Sequence, residues 1–227
     1  MTDDPSDAPP WRILTWNVHG AAGPDLEAIA EVLRGLHPDA VSLQELRRRQ
    51  ASTLAGLLGW QHHWTRKHYS YSPALWWRAE GLAILTPHAL RESRQRSITP
   101  DVSTWTHRHR VAVAATIERP GRDRIRLYDT HLASHDAADE RITQARRLAD
   151  MVLEESAAAP VVAGDLNADG EVEVIRELHR AGVRDPGGGP THPSICPKHR
   201  FDFVLVPETA TVLDRMGIGF SEPKKPY

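Results

Sequence analysis

The chain reads as an α/β protein, and three features predict that class. Short apolar runs recur along it, as strands buried on both faces require. Between them lie stretches with apolar residues at helical spacing, and an early strand, helix, strand order predicts a parallel or mixed sheet with crossover connections. With 227 residues and 40% hydrophobic content, the chain is long enough to bury a substantial core.

Residues 1–10 are rich in Asp and Pro and lack an apolar face, so they are expected to be a disordered lead-in to one domain spanning 11–227. Trp11-Arg12-Ile13-Leu14-Thr15-Trp16-Asn17-Val18 alternates and then thickens into a strand that delivers Asn17 to its end, followed by His19-Gly20. Pro24 and Asp25 open a helix whose Leu26, Ile29, Ala30, Leu33 and Leu36 share a face. The next strand, Ala40-Val41-Ser42-Leu43-Gln44-Glu45, finishes on a carboxylate, and the crossover sets Glu45 beside Asn17. A short helix is expected over 50–58, stopped by Gly59. Residues 60–77 are rich in His, Trp and Tyr, which serve either as packing with polar tips or as a stacking platform for a nucleobase.

Leu82-Ala83-Ile84-Leu85, entered from Glu80-Gly81, reads as a buried strand. Residues 110–118 alternate like an antiparallel strand, and Pro120-Gly121 turns them into a partner over 125–132 that carries His131 near its end. A helix follows over 138–153, with Ile142, Ala145, Leu148, Ala149 and Val152 at helical spacing. The strand Val161-Val162-Ala163 then meets Gly164-Asp165-Leu166-Asn167. The glycine permits a turn or a close approach, placing Asp165 and Asn167 at the strand's carboxyl end. A carboxylate and a carboxamide two residues apart could orient a water and hold a phosphate oxygen, or cap a helix beginning near Glu171. Residues 185–199 are too rich in Gly, Pro and His for regular structure, and residues 201–206 form a last strand. Asp202 interrupts that apolar run, so it must be paired or functional.

The net charge of −2 argues against a dedicated high-affinity DNA-binding protein. Arg47-Arg48-Arg49 and residues 91–110 are locally cationic, as the walls of a groove for an anionic substrate or as a solvated face. Cys196 is the only cysteine, which excludes an internal disulfide and points to the cytoplasm. No secretory signal pattern opens the chain, no apolar run approaches the roughly 20 residues of a transmembrane segment, and nothing calls for an obligate protein partner.

Trp16-Asn17-Val18, Leu43-Gln44-Glu45, Gly81-Leu82-Ala83-Ile84-Leu85, Thr130-His131-Leu132, Gly164-Asp165-Leu166-Asn167 and Arg200-Phe201-Asp202-Phe203 occur in this order. The series resembles the endonuclease/exonuclease/phosphatase superfamily over residues 11–206. The resemblance implies a four-layer α/β/β/α sandwich, two mixed sheets packed face to face with helices outside, and Mg²⁺-dependent hydrolysis of phosphodiesters or phosphomonoesters, with Mn²⁺ a possible substitute. By the same resemblance Glu45 would be the principal metal ligand, assisted by Asn17. Asp165 would orient or deprotonate the attacking water, Asn167 would contact the phosphate and His131 would stabilise its oxygens. Asp202 would lie behind them, and Glu80 is a looser candidate to pair with His131.

Oxygen donors from Asn and Glu suit Mg²⁺ or Mn²⁺ and suit zinc poorly. A phosphoester is already anionic, so attack by water needs its oxygens neutralised and the nucleophile aligned. The substrate is thus expected to be a phosphoester, with nucleic acid the first candidate. One departure stands out. The family closes with a Ser-Asp-His block that supplies a catalytic histidine, and here Ser221-Glu222-Pro223 stands instead. If the block and its strand are missing, a sheet edge is open and the rate falls by about 10²- to 10⁴-fold, the usual contribution of a positioned acid or base. The alternative is then a catalytically silent relative that binds a phosphorylated ligand.

Overall fold

A computed structural model of the chain describes residues 9–69, 73–134, 137–155 and 158–217. The expected lead-in up to residue 8 and Ser221-Glu222-Pro223 lie outside these residues. Pro9 and Pro10, assigned to that lead-in, are held in place, because their carbonyls accept hydrogen bonds from Arg119 and, for Pro9, also from Arg122.

The first sheet contains β1 (Ile13–Asn17), β2 (Ala40–Arg47), β3 (Gln61–Arg66) and β4 (Glu80–Thr86) in the order β1-β2-β4-β3. The second contains β5 (Ala89–Ser97), β6 (Val111–Glu118), β7 (Ile125–His131), β8 (Ala159–Asp165), β9 (Val183–Arg184) and β10 (Asp202–Pro207), in the order β5-β6-β7-β8-β10-β9. Both sheets are mixed: β1 runs parallel to β2 and β7 parallel to β8, while the other pairings are antiparallel. Among the described residues no strand follows β10, and β1 is an edge of its sheet. No helix among them is long and apolar enough to cross a membrane.

The helices form the outer layers. The helix α1 (Leu26–Leu36) starts where the Asp25 carboxylate caps the Ala28 N–H at 3.0 Å. It buries Ile29, Ala30 and Leu33 against β2 and β4 together with Leu54 and Ala55 of α2 (Arg48–Leu58). On the far side, α3 (Ala138–Leu153) and α4 (Val172–His179) bury Leu148, Val152, Val174 and Leu178 against Tyr128, Val162 and Leu205. Between the sheets lies a third cluster, with Ala40, Leu82 and Ile84 facing Val113, Leu127, Val161 and Ala163. This is the four-layer sandwich.

Strand alternation decides what points into that middle layer. In β7, Ile125 and Leu127 face the opposite sheet, so Asp129 and His131 follow them inward. In β8, Val161 and Ala163 do the same for Asp165; in β10, Val204 does so for Asp202; in β1, Ile13 and Thr15 do so for Asn17. The middle layer is therefore apolar at one end and polar at the other. At the transition, Gln44 Nε2 donates to Asp129 Oδ1 at 2.8 Å, a bond from one sheet to the other. The second Gln44 N–H donates to Ser42 Oγ at 2.9 Å, and Gln44 Oε1 accepts from Thr15 Oγ1 at 3.5 Å.

Three strands escape the apolar periodicity that marks the others. β3 reads Gln-His-His-Trp-Thr-Arg and is an edge strand. Of the aromatic residues around it, Trp60 and Trp64 pack against the α1–α2 core, whereas Trp76 and Trp77 are exposed. β5 overlaps the cationic run over 91–110, which therefore does not line a groove as a whole. Arg91 pairs with Glu118, Arg94 with Glu155 and Arg96 with Glu154, on an edge strand where charges are tolerated. β9 is two residues long and owes its form to β10.

Asp129 is fully buried, and burial pushes its carboxyl well above the usual range, against the opposing pull of the Gln44 hydrogen bond. The folded chain thus holds this proton more tightly than the unfolded chain, so Asp129 removes stability as pH rises from about 4, the unfolded carboxyl value, towards the folded one. In Asp129→Asn an amide oxygen keeps the Gln44 bond and the titration disappears. Urea denaturation at pH 5 and pH 8 is expected to show a smaller alkaline loss of stability in this variant than in the wild type. An equal loss in both would contradict the assignment.

Candidate active site

The polar end of the middle layer opens into a groove lined by Asn17, His19, Glu45, Lys67, Glu80, Arg110, His131, Asp165, Asn167 and Asp202. Its floor is set by strand register. His131 is opposite Asp165 across the parallel β7–β8 pair, and Asp165 is opposite Asp202 across the antiparallel β8–β10 pair. Asn17 is opposite Gln44, so Glu45 stands one residue beyond it.

Glu45 reaches the groove through an irregularity. On β2 the residues Val41, Leu43 and Leu46 face the helices, and plain alternation would send residue 45 the same way. The ladder with β4 slips between Gln44 and Leu46, and Glu45 takes a left-handed φ of 63°. This bulge turns the carboxylate into the groove. Its oxygens lie 3.3 Å from His19 Nδ1 and 3.8 Å from His131 Nδ1.

Asp165 is equally constrained. Asn17 Nδ2 donates to Asp165 Oδ2 at 3.1 Å and the Asn167 N–H to Oδ1 at 3.1 Å. His131 Nε2 lies 3.7 Å from the Asp165 carboxylate. The Asn167 amide donates to the Leu132 carbonyl at 3.3 Å, leaving its second N–H for another acceptor. Neither Asp165 nor Asn167 caps α4, which has no side-chain cap, so the capping reading fails, while the bond from the Asn167 N–H to Asp165 closes an Asx-turn. Gly164 allows the arrangement: at φ 147° its backbone lies so near Thr130 that a Cβ would come within 2.0 Å of the Thr130 carbonyl oxygen.

The electrostatics separate the two principal carboxylates. Burial pushes Glu45 up, but the His19 hydrogen bond, the nearby Lys67 charge and the Asn17 amide act against it and the group is held well below its usual range. Asp165 is pushed up to about 7 by burial first and then by the nearby Asp202 charge. Burial also raises Asp202, whose Oδ1 has no hydrogen-bond partner. Burial, with Lys67 and Arg110 beside it, drives His131 well below the ordinary histidine value, and its Nδ1 is left without a hydrogen bond. The site thus offers one firmly ionised carboxylate, one carboxylate that titrates near neutrality and one neutral imidazole.

Glu80 lines the groove, but His131 meets Glu45 and Asp165 and has no bond or ion pair to Glu80 among the described residues. Glu80 stands opposite Arg47 on β2, and burial raises its carboxyl while Lys67 acts against that rise. Three groove residues carried no sequence signal of a role. His19 follows Asn17 by two positions, and its N–H bonds the Asn17 Oδ1 at 3.1 Å. Lys67 directly follows the polar edge strand β3, and Arg110 is hidden in a cationic run.

The donor chemistry fits a hard divalent cation. Asn17 Oδ1 retains a lone pair beside the His19 N–H, and its amide is oriented by the bond from Nδ2 to Asp165. Glu45 is ionised next to it, giving an oxygen-only pair.

The family model described as Endonuclease/Exonuclease/phosphatase family matches residues 14–222. A search of curated proteins returned no match. Among solved structures, an endonuclease/exonuclease/phosphatase family protein from Leptotrichia buccalis C-1013-b is 21% identical, with a TM-score of 0.69 over 86% of this chain and 87% of that one. A mannosyl-6-phosphatase from Bacteroides thetaiotaomicron VPI-5482 is 14% identical, with a TM-score of 0.72 over 88% and 86%. D. rerio TDP2 complexed with single strand DNA product is 20% identical, with a TM-score of 0.66 over 89% and 86%. At these identities the likeness establishes the shared fold.

Gly164→Ala is expected to cost about 3 kcal/mol, the upper end for overpacking, because the added methyl meets the backbone of β7 and not a movable side chain. Denaturant midpoints of variant and wild type measure it; a cost under about 0.5 kcal/mol, a surface-like value, would show that the close approach is absent.

Proposed function

The chain belongs to the endonuclease/exonuclease/phosphatase family, and from that premise we propose that its groove hydrolyses a phosphodiester or phosphomonoester bond by metal-assisted attack of water. The observation that carries this reading is the pairing of an ionised Glu45 with an Asp165 that titrates near 7, on neighbouring strand ends in one groove. Glu45 and Asn17 would hold Mg²⁺ or Mn²⁺, which when bound supplies positive charge to a phosphoryl oxygen.

The remaining work falls to the chain. Asp165, anchored by Asn17 and the Asn167 N–H, aligns the attacking water and accepts its proton as the new P–O bond forms; the ester P–O bond breaks opposite it, and the leaving oxygen takes a proton from solvent. A carboxylate raised to about 7 is a better base than an ordinary aspartate and remains substantially ionised near neutral pH. The neutral His131 directs an N–H to a phosphoryl oxygen, and the free N–H of Asn167 meets a second. Asp202 keeps Asp165 basic through its like charge. Glu80 acts at a distance, balancing Lys67.

Nucleic acid is the first substrate to test, because Arg47, Arg78 and Arg110 line the groove and D. rerio TDP2 was solved with a single-strand DNA product. A sugar phosphate is the second, after the mannosyl-6-phosphatase of the same fold. A lone, exposed Cys196 suits a reducing cytoplasm.

Plasmid DNA, bis(p-nitrophenyl) phosphate and mannose 6-phosphate, each with Mg²⁺ or Mn²⁺ and again with EDTA, test the proposal. Metal-dependent turnover is expected on at least one. Asp165→Asn should lower kcat by about 10²- to 10⁴-fold with folding intact, as loss of a positioned base does. Glu45→Ala should weaken Mn²⁺ binding in calorimetry by more than about tenfold. Intact Mn²⁺ binding without turnover on any substrate would replace the hydrolase reading with that of a silent phosphoester-binding relative.

A further inference from the structure

Lys67, Arg110, Arg126 and Arg141 are the buried cationic side chains among the described residues. Two are paired: Arg126 Nε donates to Glu155 at 2.7 Å, and Arg141 Nε to Glu171 at 2.8 Å. The other two have no carboxylate at ion-pair distance among the described residues, and both line the groove. The Lys67 ammonium has no hydrogen-bond partner among the described residues. The Arg110 guanidinium spends Nη1 on the His107 and His109 carbonyls, and its buried Nε bonds nothing.

Both backbones are firmly placed. The Lys67 N–H donates to the Glu80 carbonyl at 3.0 Å, and the Lys67 carbonyl accepts from His109 Nδ1 at 2.6 Å. The Arg110 N–H donates to Thr99 Oγ1 at 2.7 Å. His109 also meets Ser97 Oγ at 3.1 Å, so one imidazole ties the strand end that carries Lys67 to the one that carries Arg110. Glu45 and Asp165 act on both cations from a distance, and Lys67 feels Arg110 as a like charge. Two neighbouring buried cations, neither with a carboxylate at ion-pair distance among the described residues, are costly in a molecule that pairs its other buried cations. A bound anion would remove that cost.

We propose that Lys67 and Arg110 form the anion subsite of the groove and are further catalytic residues, receiving the non-bridging oxygens of the phosphoryl group beside Glu45, His131 and Asp165. Fixed positive charge in a partly dehydrated cleft stabilises the oxygens as charge builds on them. The catalytic part rests on the hydrolase reading; the binding part stands without it.

Binding of inorganic phosphate to protein freed of metal by EDTA, measured by calorimetry, tests the subsite. The wild type is expected to bind. Lys67→Met and Arg110→Met should each weaken binding about tenfold or more, as loss of a charge-assisted hydrogen bond does, while Lys67→Arg stays within about threefold. Without phosphate, Lys67→Met should melt at or above the wild-type temperature, because an unpaired buried charge has gone. A wild type that does not bind phosphate, variants that bind it as tightly as wild type, or a Lys67→Met whose melting temperature falls without phosphate would overturn the subsite. Phosphate binding lost in the variants while the wild type hydrolyses nothing keeps the subsite and overturns the hydrolase reading. Turnover with phosphate binding indifferent to both substitutions does the reverse.

Discussion

The hydrogen bond from Gln44 to Asp129 crosses the middle layer and fixes how the two sheets meet at their polar end. Glu45 stands one residue past Gln44, and His131 two residues past Asp129, so the bond sets the relation between the ionised carboxylate of one sheet and the imidazole of the other. A hydrogen bond can do this where apolar packing cannot, because side chains such as Leu82 and Leu127 tolerate sliding, whereas a donor and acceptor at 2.8 Å do not. Asn17 extends the same constraint, since the β1–β2 register brings it level with Gln44 and its amide reaches Asp165 on the second sheet.

Around that tie the chain concentrates strain and charge. His19, Glu45 and Asn167 are three of the six described non-glycine residues with positive φ, and all three line the groove. Each such conformation costs of order 1 kcal/mol or more and persists only where the surroundings over-determine it. The surroundings here are Gly20 pressed against the Glu45 carbonyl, the Asn17 amide and the Thr130–Gly164 contact. Charge is treated in the same way. Elsewhere several buried or half-buried ions are matched, as in Arg119 with Asp39, Arg126 with Glu155 and Arg200 with Asp185. In the groove, carboxylates crowd carboxylates and two cations stand without an ion-pair partner among the described residues, so the imbalance lies where an anionic ligand and a divalent cation would resolve it. The net charge of −2 conceals this, being an average over paired surfaces.

The sequence by itself determined most strands and helices. The helix expected over 138–153 is α3 to the residue, the apolar runs at 40–45, 82–85 and 161–163 lie within β2, β4 and β8, and the strand expected over 110–118 is β6 with Arg110 just before it. It also marked Asn17, His131, Asp165 and Asp202, since each is a polar residue at the end of an apolar strand. It did not display β3, β5 and β9, whose polar residues take extended form because a neighbouring strand offers a ladder. Nor did it display the bulge that turns Glu45 inward, the part played by His19, or the absence, among the described residues, of carboxylate partners for Lys67 and Arg110. Periodicity is a relation between residues a few positions apart and is written in order along the chain. The Gln44–Asp129 and Asn17–Asp165 bonds join residues 85 and 148 positions apart, and the burial that raises Asp165 and isolates Lys67 comes from several strands at once. Only the closed sandwich brings those groups together, so tertiary structure alone decided the protonation and pairing of the site.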